Sequence, residues 1–198
     1  MSNSGVSKPH FQMKAIETTK LWTDDQLMAL DRDGRKHEVW FGKVVTMPPA
    51  GAEHGYIIMC LGAALVTHVQ KHKLGRVYDG QTGFRVGPEH CFEPDLAFVC
   101  HARLKLILPH KEKLFHAAPD LAVEVLSPSD SITKTEAKLE LYLAHGTRLA
   151  WMIDPKTKSA RAYKPDGSMD VLRRDRVLTG NSVLPGFRIS LSRLFDEV

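Results

Sequence analysis

The sequence predicts an α/β fold in which a mixed β-sheet is flanked by helices. Two short apolar runs, residues 95–100 and 121–126, are typical of strands buried on both faces. Apolar side chains recur at three-to-four spacing over residues 54–73, which indicates an amphipathic helix. A second helix, predicted over residues 131–144, separates the strand at 121–126 from another at 148–154, which is the order of a parallel crossover.

Length and composition indicate one globular domain. The chain has 198 residues, of which 43% are hydrophobic and 25% charged. Such values exclude a largely disordered, collagen-like or coiled-coil chain. Residues 1–14 show no periodicity and are predicted to form a flexible tail, followed by a single domain over residues 15–198. No apolar run reaches the roughly 18 residues of a membrane span, so no membrane partner is expected.

The net charge and the cysteines indicate which kind of binding partner and which cellular compartment to expect. The net charge of +4 is a mild basic bias, which permits a polyanionic partner without requiring one. The three cysteines are odd in number and form no CxxC pair, and the N-terminus carries no apolar signal segment. A reduced, cytoplasmic location is therefore expected.

The other elements are predicted from β-rich runs and turn residues. Residues 37–47 are rich in β-branched and aromatic side chains around Gly42, which favours a hairpin or a bent strand pair. Residues 76–86 are predicted to form one strand, and residues 160–164 another that ends in an Asp-Gly turn. A short helix is expected near residues 191–195.

Two acidic residues stand where a buried sheet should carry none. Glu124 lies inside the apolar run LAVEVL, where a carboxylate costs free energy unless it is paired, hydrogen-bonded or bound to a metal. Pairing with a lysine or arginine remains the structural alternative. Asp95 opens the other apolar run, and on a neighbouring strand the two carboxylates could share a hard cation such as Mg²⁺. Asp120 is a competitor, but it would lie about 13 Å from Glu124 along an extended strand.

Several other residues could carry chemistry, although each has an ordinary structural role. Lys138 would bring positive charge near the acids, but its helical spacing alone favours a solvent-facing side chain. Glu38 has the pattern of an exposed hairpin carboxylate, and His54 that of a helix-start histidine in solvent, with no role assigned. His68 and His72 have the spacing of a metal-binding pair, but no third ligand lies nearby in sequence.

Long stretches of the chain resemble the Uma2 family of restriction endonucleases, within the PD-(D/E)XK nuclease superfamily. The runs that carry the resemblance are QTGFRVGPEHCFEPDLAFV (81–99), the stretch from PDLAVEVL to YKPDG (119–167), and shorter segments at 37–49, 184–187 and 191–195. The resemblance covers roughly residues 20–197. It implies a restriction-endonuclease-like core with a mixed central sheet flanked by helices, in agreement with the pattern of predicted elements.

The resemblance also implies a site and an activity. The acidic pair of the family falls on Asp95 and Glu124, and its early glutamate falls on Glu38, where it would complete the metal site. The superfamily lysine would stand two residues after the acid, but that residue is Leu126, and the family's lysine falls on Lys138 of the following helix. A Mg²⁺- or Mn²⁺-dependent endonuclease acting on DNA is thereby implied. In it Lys138 would position the attacking water or stabilise charge on the phosphorane.

A DNA substrate implies phosphate contacts, although basic side chains more often form only a solvated surface. The candidates are Arg103, Lys105, Lys111, Lys113, Arg173, Arg174 and Arg176. A homodimer is expected because nucleases that cut both strands often act as pairs. The alternative function is a catalytically inactive, homodimeric interaction module of the same fold. A metal-dependent hydrolase of RNA or of a nucleotide is a third reading.

Overall fold

A six-stranded mixed sheet forms the centre of the protein in the computed structural model, which describes residues 20–30, 34–107 and 114–196. In spatial order its strands are β10 (Met169–Arg173), β9 (Ser159–Tyr163), β8 (Leu149–Asp154), β7 (Leu121–Val125), β6 (Leu96–Cys100) and β3 (Gly75–Asp79). β7 and β8 pair in parallel and the other neighbours pair antiparallel. The predicted class of a mixed sheet is confirmed, whereas the tail predicted over residues 1–14 lies outside the described residues.

A smaller sheet lies beside the central one and carries Glu38 on its strand β1. It has the spatial order β2 (Lys43–Thr46), β1 (His37–Trp40), β5 (Cys91–Phe92) and β4 (Phe84–Arg85). β1 and β2 form the hairpin predicted from residues 37–47, and Phe41 and Gly42 make its turn with positive φ angles. A third, two-stranded sheet joins β11 (Val177–Thr179) to β12 (Arg188–Ser190).

The single strand predicted over residues 76–86 is wrong. The segment instead forms β3 and β4, which belong to different sheets. The break follows Asp79, whose Oδ1 accepts hydrogen bonds from the backbone N–H of Gln81 and the hydroxyl of Thr82. A side-chain carboxylate that bonds to groups two and three residues ahead stabilises a turn in place of a continuing strand.

Five helices complete the described fold. They are α1 (Asp24–Leu30), α2 (Ala52–His72), α3 (His101–Ile107), α4 (Ile132–Ala144) and α5 (Leu191–Asp196). α2 buries Ile57, Leu61, Leu65 and Val69 in a core on one face of the central sheet. By length and hydropathy alone α2 could span a bilayer, a property that core helices share. α4 packs on the opposite face of the sheet.

The two faces of β7 belong to different cores because side chains alternate along a strand. Leu121, Val123 and Val125 pack on the α2 side, whereas Ala122 packs on the α4 side. Glu124 stands at the next alternate position after Ala122. The alternation therefore directs this carboxylate toward α4.

Candidate active site

Two carboxylates meet where β6 begins and β7 ends. Leu96 of β6 pairs with Val123 of β7 in antiparallel register, and Asp95 and Glu124 lie one residue beyond that pair. Oδ2 of Asp95 accepts a hydrogen bond of 2.7 Å from the backbone N–H of Val125. The condition for a shared cation, that the two strands are neighbours, is thus met, and the acids lie next to each other at one end of the strand pair.

A buried ammonium group from α4 joins these acids to the hairpin. Nζ of Lys138 lies 2.5 Å from Oε1 of Glu38 and 2.8 Å from Oε1 of Glu124. Both side chains that spacing alone would expose, Lys138 and Glu38, are buried. The helix face that carries Lys138 and Leu139 packs against the sheet, and this packing overrides the solvent-facing expectation.

Glu38 has both carboxylate oxygens engaged. Oε1 accepts from the backbone N–H of Glu93 at 3.0 Å as well as from Lys138, and Oε2 accepts from Nε1 of Trp40 at 3.1 Å. Across the described ranges, no three or more His, Cys, Asp or Glu side chains are grouped as metal ligands. In this geometry Glu38 holds Lys138, and the metal-ligand role that the resemblance implied for Glu38 stays a prediction.

Two further basic side chains contact Asp95. His54, in the first turn of α2, is buried, and its Nε2 lies 3.3 Å from Oδ2 of Asp95. Nζ of Lys36 lies 3.6 Å from Oδ1 of the same carboxylate. His54 was expected in solvent, but the packing of α2 on the sheet brings its first turn to the acidic pair. Asp95 thus has a cationic or hydrogen-bonding partner at each oxygen.

The cluster opens into a cleft of about 730 Å³. Its lining includes Lys36, His54, Asp95, Glu124 and Lys138. The walls come from residues 34–36, residues 46–50 after the hairpin, and residues 125–127 after β7. The acids are therefore buried within the protein but reachable from one open side.

The pKa of Glu124 is shifted in the opposite direction from the pKa values of Asp95 and Glu38. Burial, with the charges of Asp95 and Glu38 nearby, raises the pKa of the Glu124 carboxyl to about 7, although Lys138 acts in the opposite direction. Burial alone would lower the pKa of Lys138, but the carboxylates of Glu124 and Glu38 outweigh desolvation and hold it above its ordinary value. The ammonium group is therefore charged, and Glu124 is the acid whose negative charge is least compensated.

Asp95 and Glu38 behave in the opposite way. Burial tends to raise the pKa of Asp95, but the His54 hydrogen bond and the Lys36 charge hold it below its ordinary value. The pKa of Glu38 is likewise held low, against burial, by the ammonium group of Lys138. Both carboxylates are thus ionised at neutral pH.

The comparisons with known proteins agree with this fold. The model of the Uma2 family, described as "Putative restriction endonuclease", matches residues 22–192. The chain belongs to the Uma2 family. A crystal structure at 1.96 Å of "a putative nuclease belonging to DUF820" from Anabaena variabilis superposes with a TM-score of 0.75. That chain is 24% identical, and the match covers 88% of this chain and 97% of the other. No curated protein in the comparison matches.

Among the residues that the structure describes, none of the basic side chains expected to contact DNA lines the cleft of this Uma2 protein. Arg103 donates a hydrogen bond of 2.7 Å to the carbonyl oxygen of Ala118, and its guanidinium group lies 3.4 Å from Oδ1 of Asp120. These contacts are at the end of β7 opposite Glu124. Lys105 is exposed on the same helix, α3. The remaining candidates divide into Lys111 and Lys113, outside the described residues, and Arg173, Arg174 and Arg176, at the turn between β10 and β11.

Asp120, the alternative acid, and His68 with His72, the alternative metal-binding pair, all make contacts away from the cleft. Oδ2 of Asp120 accepts a hydrogen bond of 2.8 Å from the backbone N–H of Cys100, so this carboxylate links β6 to β7 at the end away from Glu124. His68 and His72 lie with ring centroids 4.5 Å apart, and Nε2 of His68 is 3.0 Å from the carbonyl oxygen of Pro185. Each group thus serves packing away from the cleft.

Sequence reasoning missed Lys36. A signal for it exists, because residues two apart in an extended chain share a side, and Lys36 stands two residues before Glu38. His54 carried no comparable signal. Its contact with Asp95 depends on how the start of α2 packs against the central sheet.

Proposed function

We propose that this Uma2 protein is a metal-dependent endonuclease that hydrolyses phosphodiester bonds in DNA, with Asp95 and Glu124 as ligands of Mg²⁺ or Mn²⁺. The observation that supports the proposal is the pair of adjacent carboxylates opening into a cleft on a nuclease fold. Glu124 lines the cleft, and its pKa of about 7 indicates a negative charge that a further cation would stabilise. Carboxylate oxygens are the ligands that these ions prefer. A divalent cation there supplies an activated water and stabilises charge on the phosphodiester.

The chain's own groups then hold and orient the reacting centre. The N–H of Val125 and the ring of His54 fix Asp95. Lys138 has three N–H donors; it donates a hydrogen bond to Glu38 and forms an ion pair with Glu124. Because Lys138 also lines the cleft, an N–H that is not directed at Glu38 can serve a water molecule or a phosphate oxygen.

Metal binding tests the proposal directly. Titration calorimetry of the full chain with MgCl₂ and MnCl₂ should show binding that Asp95→Ala and Glu124→Ala each abolish without unfolding the protein. Glu53→Ala is the matched control, because it removes an exposed carboxylate from the same turn of α2 as His54. Wild-type protein and the control should nick plasmid DNA in the presence of the ion, whereas both site variants should not.

The result that contradicts the proposal is equally plain. If neither ion binds at millimolar concentration, even with DNA present, the enzyme proposal fails and the inactive interaction module becomes the leading function. Sedimentation of the same samples tests the expected homodimer.

Metal affinity should rise with pH through the neutral range. A proton on Glu124 competes with the ion, so affinity should increase by about tenfold per pH unit below the pKa of about 7 and level off above it. Calorimetry in buffers of different ionisation enthalpy will measure the proton released on binding. An affinity independent of pH across this range would remove Glu124 from the ligand set.

A further inference from the structure

The cleft has a second lysine, which is far less constrained than the first. The side chain of Lys138 is 6% exposed and its ammonium group contacts two carboxylates. The side chain of Lys36 is 23% exposed, and within the described ranges its one salt bridge, of 3.6 Å, joins it to Asp95, although its charge also lowers the pKa values of Glu38 and Glu124 from farther away. Lys36 can therefore exchange its partner at low cost, whereas Lys138 would leave two buried charges behind.

The backbone of Lys36 is fixed even though its ammonium group is loosely held. Its carbonyl accepts from the N–H of Met47 at 2.9 Å, which ties the residue to the end of the β1–β2 hairpin. The side chain lines the cleft beside Gly80, where a Cβ would lie 3.7 Å from Nζ. A flexible stem on an anchored backbone lets the charge move between Asp95 and the open side of the cleft.

We propose that Lys36 binds substrate in this site, its ammonium group contacting a phosphate oxygen of DNA after a divalent cation has taken its place at Asp95. The inference rests on the proposed function. An ammonium group and a divalent cation compete for the same carboxylate, and the ion's double charge favours it at equal distance. The displaced ammonium group then stands in a cleft beside the phosphodiester, the anion that neutralises it.

The phosphate contact is tested by DNA binding without turnover. Asp95→Asn removes the charge that holds Lys36, so a fluorescein-labelled duplex is titrated into this variant in EDTA, alone and combined with Lys36→Gln. We expect Lys36→Gln to weaken binding about fivefold and to reduce the slope of log K against log salt by about 0.9, the value for one phosphate contact. Lys36→Arg should retain both the affinity and the slope.

The matched control is Lys43→Gln in the same background, since Lys43 is exposed on β2 of the same hairpin and does not line the cleft. It should leave the affinity and salt slope nearly unchanged. If Lys36→Gln weakens binding no more than Lys43→Gln does, the phosphate contact is refuted.

The exchange at Asp95 has its own readout in magnesium calorimetry. Lys36→Gln in otherwise wild-type protein removes the competing cation, so Mg²⁺ should bind severalfold more tightly, whereas Lys43→Gln should not change the affinity. An unchanged or weaker affinity overturns the exchange. Wild-type protein that neither binds Mg²⁺ nor cleaves DNA overturns the proposed function, and this inference with it. Wild-type cleavage together with a neutral Lys36→Gln overturns this inference alone.

Discussion

Replacing Lys138 by methionine will lower the free energy of unfolding by about 3–5 kcal/mol and abolish DNA cleavage. The substitution keeps an unbranched side chain of similar length but removes the charge that pairs with Glu38 and Glu124. Both carboxylates then remain buried without a cation, which is the costly way to break an ion pair. Urea denaturation followed by circular dichroism measures the stability at pH 8, and plasmid nicking measures the activity.

Lys134→Met is the matched control for this loss, because Lys134 is exposed one turn earlier on α4. It should change stability by no more than about 0.5 kcal/mol. Combining Lys138→Met with Glu38→Gln should recover part of the lost stability, which a double-mutant cycle quantifies. Equal unfolding midpoints for Lys138→Met and Lys134→Met would contradict the buried ion-pair cluster.

Asp95→Asn and Glu124→Gln should both reduce cleavage by about a thousandfold or more, yet shift stability in opposite directions at pH 8. The pKa of Asp95 is lowered, so the fold favours its charged form, and the amide loses that stabilisation. The pKa of Glu124 is raised to about 7, so the fold disfavours its charged form above that pH. Glu124→Gln should therefore stabilise the metal-free protein by about 1–3 kcal/mol.

The pH dependence of unfolding distinguishes the two cases. The contribution of Glu124 to the free energy of unfolding is fully present below its ordinary pKa of 4.5 and is lost as pH rises through about 7. The stability advantage of Glu124→Gln over the wild-type protein should therefore develop only between these two pH values. The contribution of Asp95 is present above its ordinary pKa of 3.8 and is lost as the pH falls through its lower pKa in the folded protein. Shifts of the same sign at pH 8 would show that the two acids do not differ in this way.

The strands that carry the acids could be predicted because their signals are local. An apolar run around Glu124, and another beginning at Asp95, each report burial over five or six residues, and the structure has β7 and β6 there. The long helices α2 and α4 were predicted within two residues of their ends, since periodicity survives over many turns. The parallel pairing of β7 with β8 followed from the helix that connects them.

The surroundings of the acids could not be predicted from local patterns. Glu38 and Lys138 have the spacing of exposed residues, and only the packing of α4 and the hairpin around the same strand makes them partners. Their contact spans 100 residues of sequence, so no periodicity within either element reports it. Only the family resemblance singled them out, and it gave no sign that Glu38 and Lys138 pair with each other.

That separation along the chain has a consequence for synthesis. The ribosome completes Glu38, Asp95 and Glu124 before it reaches Lys138, so the newly made chain holds all three acids of the cluster without the cation that joins two of them. Docking the hairpin onto the sheet at that stage would bury repelling carboxylates, which is unfavourable until α4 has left the exit tunnel. We expect a ribosome-bound chain ending before α4 to leave this cluster unassembled, so that the candidate active site first forms after α4 has left the exit tunnel.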